Sequence, residues 1–255
     1  MEIWRLLDIE YPSRAGLNLA IDEALLSQIA KKDGPPIVRF WRNRRAVVIG
    51  YSQCVEAEVN LELCRIRNIE IVRRITGGGA VYHDLGNLNY SIAIRSDHPL
   101  VRRLNIQESY GVFLSGVIEC LKKFGTKPSI DPPNSLLVQG RKISGNAQIR
   151  RRGAVLHQGT LLINSDLNLL SEVLKPQKKL SQQRGVPSKR RLVTNLSREI
   201  GQKISVQSVK ESLQRSFEEA FSVKLVHSTL TPEEKEASRI LYSEKYSRKE
   251  WNFWR

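Results

Sequence analysis

Residues 73–91 carry the densest chemistry in the chain: Arg73-Arg74, then Gly77-Gly78-Gly79, then His83-Asp84, then Asn87. The glycine triplet lies between two β-rich runs, Ile69–Ile75 and Ala80–Tyr82. Glycine weakens a strand interior, so a triplet there marks a bend or a place where backbone must come close to a ligand. Successive backbone N–H groups beside two arginines would receive something anionic. A glycine-rich hairpin turn uses the same residue types, and taken alone the triplet favours that reading.

A second segment narrows the choice. Gly140-Arg141-Lys142-Ile143-Ser144-Gly145-Asn146-Ala147-Gln148 is followed by His157-Gln158-Gly159-Thr160-Leu161-Leu162. Together the two segments resemble the lipoate–protein ligase family, within the group of biotin and lipoate ligases and octanoyltransferases. Arg74 to Asn87 follow that family's glycine-loop order, and Lys142, Gly145, Ala147, His157, Gly159 and Thr160 follow its lysine segment. Asn18 to Glu23, Arg39 to Trp41, Val47 to Gly50 with Gln53, and Glu250 to Asn252 extend the likeness over nearly the whole chain.

The resemblance implies an α+β catalytic domain with a larger and a smaller mixed β-sheet packed with helices, spanning 1–255 as a single domain. It implies an ATP-dependent enzyme that activates lipoate as lipoyl-AMP and passes the acyl group to a lysine of a lipoyl carrier domain. Such carriers belong to 2-oxoacid dehydrogenases and to the glycine cleavage system. Lys142 is the implied catalytic residue, its ammonium placed between acyl oxygen and α-phosphate. Lipoate or lipoyl-AMP would be held by Arg74, Gly77, Gly78, Gly79, His83, Asn87, Lys142, Gly145 and Ala147. Magnesium would arrive with ATP, and no metal ligands of the protein's own are expected. Asn146 stands where the family has a small residue, so altered local contacts are expected. His83 and Asp84, as strand neighbours, point to opposite faces; a hydrogen bond from His83 and a turn bond from Asp84 are expected in place of a dyad. His157 is read as structural. The family's longer ligases continue past the Glu-Trp-Asn segment into an accessory domain absent from this chain, so a separate accessory subunit is expected, with the aromatic end Trp251 to Trp254 suited to docking it.

These residues need elements to hold them. Helical spacing of Leu17, Ile21, Ala24, Leu25 and Ile29 predicts a helix over 17–29, with Asn18 to Glu23 near its beginning. Strands are expected at 37–41, 46–51, 69–75, 88–94, 135–139 and 142–144, and two further segments at 154–157 and 160–163. Asn60 caps an expected helix over 61–67. Long helices are expected over 106–124, 206–221 and 233–246, the last opened by Thr231, Pro232 and Glu234. Residues 128–133 read as a loop. Residues 175–194, rich in Lys, Arg, Gln and Ser, read as a mobile loop resembling the family's adenylate-binding loop. Strands and helices mix without βαβ alternation, which also points to α+β.

With 255 residues and a net charge of +15, the chain can bury one large core and must have acidic partners or an unusually charged surface. No apolar run reaches transmembrane length and the first ten residues are no signal peptide. Three cysteines without pairing or zinc spacing suit a reducing cytoplasm. Two alternatives remain. An octanoyltransferase of the same fold needs a cysteine nucleophile, and 127–139 contains none. A basic nucleic-acid-binding protein could use Trp41, Tyr51 and Trp251 among cations, but no helix-turn-helix, zinc-finger or RNP-like pattern is present.

Overall fold

A computed structural model describes residues 1–31, 34–174, 185–189 and 191–254. In chain order the elements are β1 (Glu2–Asp8), α1 (Ala15–Lys31), β2 (Ile37–Trp41), β3 (Arg45–Ile49), α2 (Val55–Glu58), α3 (Leu61–Ile66), β4 (Glu70–Arg73), β5 (Val81–Asp84) and β6 (Asn87–Arg95). Then come α4 (Ile106–Lys123), β7 (Pro128–Asp131), β8 (Ser135–Val138), β9 (Arg141–Arg151), β10 (Ala154–Leu162), α5 (Leu167–Val173) and α6 (Leu196–Ile200). The chain finishes with α7 (Val206–Phe221), β11 (Val223–His227), α8 (Pro232–Leu241), a π-helical turn Tyr242–Tyr246 and α9 (Lys249–Asn252).

The strands form an eight-stranded sheet, ordered β11-β1-β2-β6-β10-β9-β8-β7, and a three-stranded sheet, β4-β3-β5. Both are mixed: β1 runs parallel to β2 and β11, and β3 parallel to β4, while β6, β9 and β10 are antiparallel neighbours. The expected α+β class with a larger and a smaller mixed sheet is what the chain adopts.

Alternating side chains distribute three apolar clusters over these layers. On one face of the large sheet, Phe113, Val117 and Leu121 of α4 and Leu213 and Phe217 of α7 pack on Phe40, Tyr90 and Ile92. On the other face α1 lies between the sheets, with Ile21 and Leu25 against Trp41, Ala46, Val48 and Leu156. Val47 and Ile49 point the opposite way from Ala46 and Val48, onto Val55, Cys64, Leu170 and Val173. No helix among the described residues is long and apolar enough to cross a membrane.

Several local signals act as expected. Asn60 accepts from Leu63 N, and Thr231 with Glu234 forms a capping box with Pro232 in the first turn. Asp22 and Glu23 instead depart from a helix-dipole role. The helix begins at Ala15, where Glu70 from β4 accepts from the amides of Ala15 and Gly16. Asp22 and Glu23 therefore fall in its middle, Asp22 paired with Arg39 at 2.6 Å and Glu23 with Lys245 at 2.7 Å. The segments 154–157 and 160–163 are one strand, because Gly159 continues the ladder past Tyr90. Residues 128–131, read as loop, form the edge strand β7. The helix expected over 233–246 stops at Leu241 and loosens into the π-turn.

The end of the chain is fastened to the small sheet. Asn252 Oδ1 accepts from Arg73 N at 2.9 Å, and the buried Arg73 guanidinium donates to the carbonyls of Asn252, Trp251, Gly50, Tyr51 and Gln53. Trp251 donates from Nε1 to Arg73 O. Thus part of the aromatic end is tucked inward, while Phe253 and Trp254 remain 39% and 42% exposed.

Phe217 is the joint between helix layer and sheet. Its ring lies 5.6 Å from that of Tyr90, 6.4 Å from Phe40 and 5.3 Å from Phe221, and Gly116 of α4 leaves it room. Phe217→Ala should cost about 3–5 kcal/mol of stability through cavity formation, seen as a lower urea midpoint with an unchanged slope.

Candidate active site

Two adjoining cavities open where the sheets meet. They share Ala80, Val81, Lys142, Gly145 and Thr160 in their walls. The smaller, about 320 Å³, runs from an exposed rim at Pro132, Pro133 and Arg191 to a buried end formed by Leu19, Trp41, Val48, His83 and Asn89. The larger, about 480 Å³, lies between Tyr82, Asn87 and Leu162 and the α5 residues Leu167 and Leu170, with Leu174 just past that helix and Lys189, Arg191 and Arg198 also on its walls.

Lys142 stands at the junction. Its backbone is held from outside the sheet: its amide donates to Leu192 O at 2.8 Å and its carbonyl accepts from Thr194 N at 2.9 Å. The side chain folds over Gly145, where a Cβ would lie 2.9 Å from its Cε and 3.0 Å from its Nζ. Gly145 is in turn fixed by Thr160, whose hydroxyl accepts from its amide and donates to its carbonyl, both at 3.2 Å. Burial, then Arg74, lower the Lys142 pKa, with smaller contributions from Arg191 and Lys189; Asp131 opposes them. Asp131 is itself paired with Arg191 at 2.8 Å. An ammonium so placed gains most when an anion arrives, because the anion restores its favoured charged form.

The glycine loop is shaped by Arg74. Its guanidinium donates to Val48 O, Gly77 O and Gly79 O at 3.1, 2.6 and 2.8 Å. Burial pushes this arginine down to about 10. Where the sequence suggests an anion contact, the structure thus has a guanidinium gathering loop carbonyls, with the side chain also forming cavity wall. Gly78 adopts φ +85°, and a Cβ at Gly50 would meet its carbonyl oxygen at 2.0 Å. Gly78 and Gly79 line the smaller cavity together with Ala147; Gly77 is in neither wall.

Residues 185–189 cross the loop as a strap. Gly185 bridges to Gln53, and Val186 N donates to Ser52 O at 3.0 Å. Ser188 Oγ accepts from Gln53 Nε2 and Ala80 N at 2.9 and 3.0 Å, and Ser188 N donates to Glu58 at 3.0 Å. The part of the expected mobile loop that is described is therefore tied to the cleft; residues 175–184 and 190 lie outside the described residues. Glu58 and Ser188 carry no signal in the sequence, and Gln53, part of the family likeness there, takes its role from the strap's placement.

His83 sits in the smaller cavity's buried wall, its ring edge-on to Trp41 at 5.9 Å, and Asn43 lies 3.2 Å from its Nδ1. Asp84 turns the other way, accepting from Gly86 N and Asp166 N. His157 is packed among Tyr90, Tyr110 and Phe113, with Nε2 3.3 Å from Asn146 Oδ1. Asn146 does alter its surroundings: it accepts from the Tyr90 hydroxyl and donates to Asn134 O and Ser144 Oγ. Asn87 lines the larger cavity only.

Known proteins share both the sequence and this architecture. Residues 14–218 match the lipoyl protein ligase A/B catalytic domain. Lipoate-protein ligase A subunit 1 of Thermoplasma acidophilum is 34% identical, over 97% of this chain and 95% of its own. Octanoyltransferase LipM of Geobacillus kaustophilus is 33% identical, over 99% of this chain and 98% of its own. A bipartite lipoate protein ligase from T. acidophilum, studied with its E2 lipoyl domain, superposes with a TM-score of 0.86 at 33% identity, covering 99% of this chain and 97% of the other. A T. acidophilum lipoate protein ligase with bound lipoic acid gives 0.85 at 33%, covering both chains fully. A lipoate-protein ligase A bound with ATP gives 0.86 at 33%, covering 99% of each.

Burial pushes the pKa values of both His83 and His157 down to about 3. Between that value and the ordinary 6.5 the unfolded chain binds protons that the folded chain does not. Stability is therefore complete above pH 6.5 and falls as pH drops toward 3, by about 1.4 kcal/mol per pH unit for each histidine. His157→Phe should show a shallower loss of urea midpoint between about pH 7 and about pH 4.5 than the unaltered protein.

Proposed function

Because the chain belongs to the lipoyl protein ligase A/B catalytic-domain family, we propose that it is the catalytic part of an ATP-dependent lipoate–protein ligase. The observation that carries this reading is Lys142, held at the junction of two cavities of different character. The acyl chain occupies the smaller, lined by Leu19, Trp41, Val48, Gly78, Gly79 and Ala147. The nucleotide occupies the larger, against Asn87 and beneath the cationic rim.

In the first step a lipoate carboxylate oxygen attacks the α-phosphorus of ATP and the bond to pyrophosphate breaks, giving lipoyl-AMP. Lys142 donates to the acyl carbonyl oxygen and the α-phosphate, and so stabilises the charge that develops between them. Arg74 keeps Gly77 to Gly79 in shape, and the strap through Ser188 excludes water. In the second step the amine of the acceptor lysine attacks the acyl carbon, AMP leaves, and the amine proton passes to AMP or water. Magnesium enters as part of the ATP substrate. The acceptor is a lipoyl carrier domain, drawn to the basic rim.

The octanoyltransferase relatives make acyl transfer the second reading. It requires a thiol in the cleft. Cys54, Cys64 and Cys120 are buried, and none belongs to either cavity wall. Burial raises all three thiols, Cys64 and Cys120 to about 11, which disfavours the thiolate. Adenylation needs no such nucleophile.

We further propose that residues 1–255 act as one catalytic domain in the cytoplasm, with a separate accessory subunit, as the bipartite T. acidophilum ligase suggests. Mass spectrometry of an apo-lipoyl domain incubated with this chain tests the whole reading. A mass gain is expected from preformed lipoyl-AMP, and from lipoate with ATP when the accessory subunit is present. Transfer from octanoyl carrier protein without ATP would establish the second reading instead. Lys142→Met should lower adenylation by about 10²–10³-fold, in line with loss of one preorganised donor.

A further inference from the structure

The buried end of the smaller cavity carries polar atoms that the chemistry at Lys142 does not use. His83 Nε2 and Asn89 Nδ2 are both buried and neither has a partner. Both residues belong to that cavity's wall, His83 3% and Asn89 2% exposed. They are neighbours: Asn89 pairs with Trp41 across β2 and β6, and the Trp41 ring meets His83 edge-on.

The hydrogen-bond network behind them determines what they present. Arg39 donates to Asn18 Oδ1 at 2.7 Å, so Asn18 must use Nδ2 toward Asn43, to whose Oδ1 it donates at 2.8 Å. Asn43 is left with Nδ2 facing His83 at 3.2 Å, and His83 Nδ1 must accept. The imidazole is kept neutral by burial and Arg74. Its one proton therefore sits on Nε2, the nitrogen without a partner. Asn89 Oδ1 accepts from Asn87 Nδ2 at 3.0 Å, which leaves its Nδ2 as a second unpartnered donor. Two N–H groups thus stand without partners in the buried wall of the cavity, which Leu19, Trp41 and Val48 also line.

We propose that His83 and Asn89 select the acyl tail, favouring one that ends in a cyclic disulfide over a saturated alkyl tail. The inference rests on the acyl-binding assignment of this cavity made above. Disulfide sulfurs carry lone pairs and act as weak acceptors, and they are polarisable enough to suit the Trp41 ring. An alkyl tail of the same length offers no acceptor and expels any water that would otherwise serve the two donors. A five-membered ring without sulfur fills the same shape and still leaves them unpartnered.

The test is calorimetric binding of three acids to the full chain: lipoate, octanoate and 5-cyclopentylpentanoic acid, the sulfur-free ring analogue. Lipoate should bind at least about tenfold more tightly than either of the others, the scale of one satisfied buried donor. Asn89→Leu should bring the three within about threefold of one another, and His83→Phe should act in the same direction. Should either variant not fold, the unaltered protein decides the matter alone. Equal binding of lipoate and the cyclopentyl acid overturns the selector while leaving the cavity assignment intact. Failure of all three acids to bind overturns both.

Discussion

The structure is organised around one charge that water cannot reach. Arg39 is fully buried in β2, and its five N–H groups are all engaged: two on Ile9 O, one on Asn18 O, one on Asn18 Oδ1 and one on Asp22 Oδ1. A guanidinium in such a place is tolerable only if every donor has a partner and a carboxylate balances it. Asp22 supplies the balance and passes the constraint on, its second oxygen accepting from Ser91 Oγ and Gln158 Nε2. Gln158 then accepts from Thr76 just ahead of the glycine loop. Through Asn18 and Asn43 the same arginine orients His83. Helix α1, the strands that carry Arg39, Ser91 and Gln158, and the buried end of the smaller cavity therefore take their geometry from the need to satisfy a single cation. Loss of either partner would leave its counterpart buried and uncompensated, a more severe change than loss of any one apolar contact.

Around the reaction centre the balance runs the other way. Lys142, Arg74, Lys189 and Arg191 crowd the cleft, and Asp131 offsets only part of their mutual repulsion at Lys142. The fold tolerates this because Arg74 is bound to carbonyl dipoles and the rim cations reach solvent. An anionic ligand would relieve the repulsion, so the electrostatic drive for binding is built into the fold before any ligand arrives. The net charge of +15 is consistent with a surface that attracts such ligands from a distance.

How much of this could be read from the residues alone depended on whether the determinant was local. The capping residues Asn60 and Thr231, the helices over 106–123 and 206–221 and the inner strands 37–41 and 87–95 follow from near neighbours in sequence, and the expectations for them hold to within a residue or two. Strands β1 and β11 escape such reading, because they stabilise each other in parallel from opposite ends of the sequence, Glu2 beside Val223. Asp22 and Glu23 look like helix-dipole carboxylates until their remote cations, Arg39 and Lys245, are known. In the site, Lys142, Gly145, Gly78, Gly79, Ala147, Arg74 and His83 do converge on one cavity, whereas Gly77 does not reach it and Asn87 belongs to its neighbour. Ser188 and Asn89 carry no chemical signature of their own; only the strap and the strand register give them significance.

The bond between Asn252 and Arg73 has a bearing on how the protein is made. Strand β4 emerges from the ribosome early and leads directly into the glycine loop, yet its last residue is clamped by side chain and backbone of a segment 178 or 179 residues later. The first strand likewise waits for β11 to cover its outer edge. The helix layer over β6 waits in turn for α7, whose Phe217 joins it to Tyr90, and the strand that feeds the cleft is clasped only once Asn252 has been made. Assembly of the binding site is thus deferred to a late stage of biosynthesis, and a chain terminated before that residue would hold the glycine loop on a strand with no clasp.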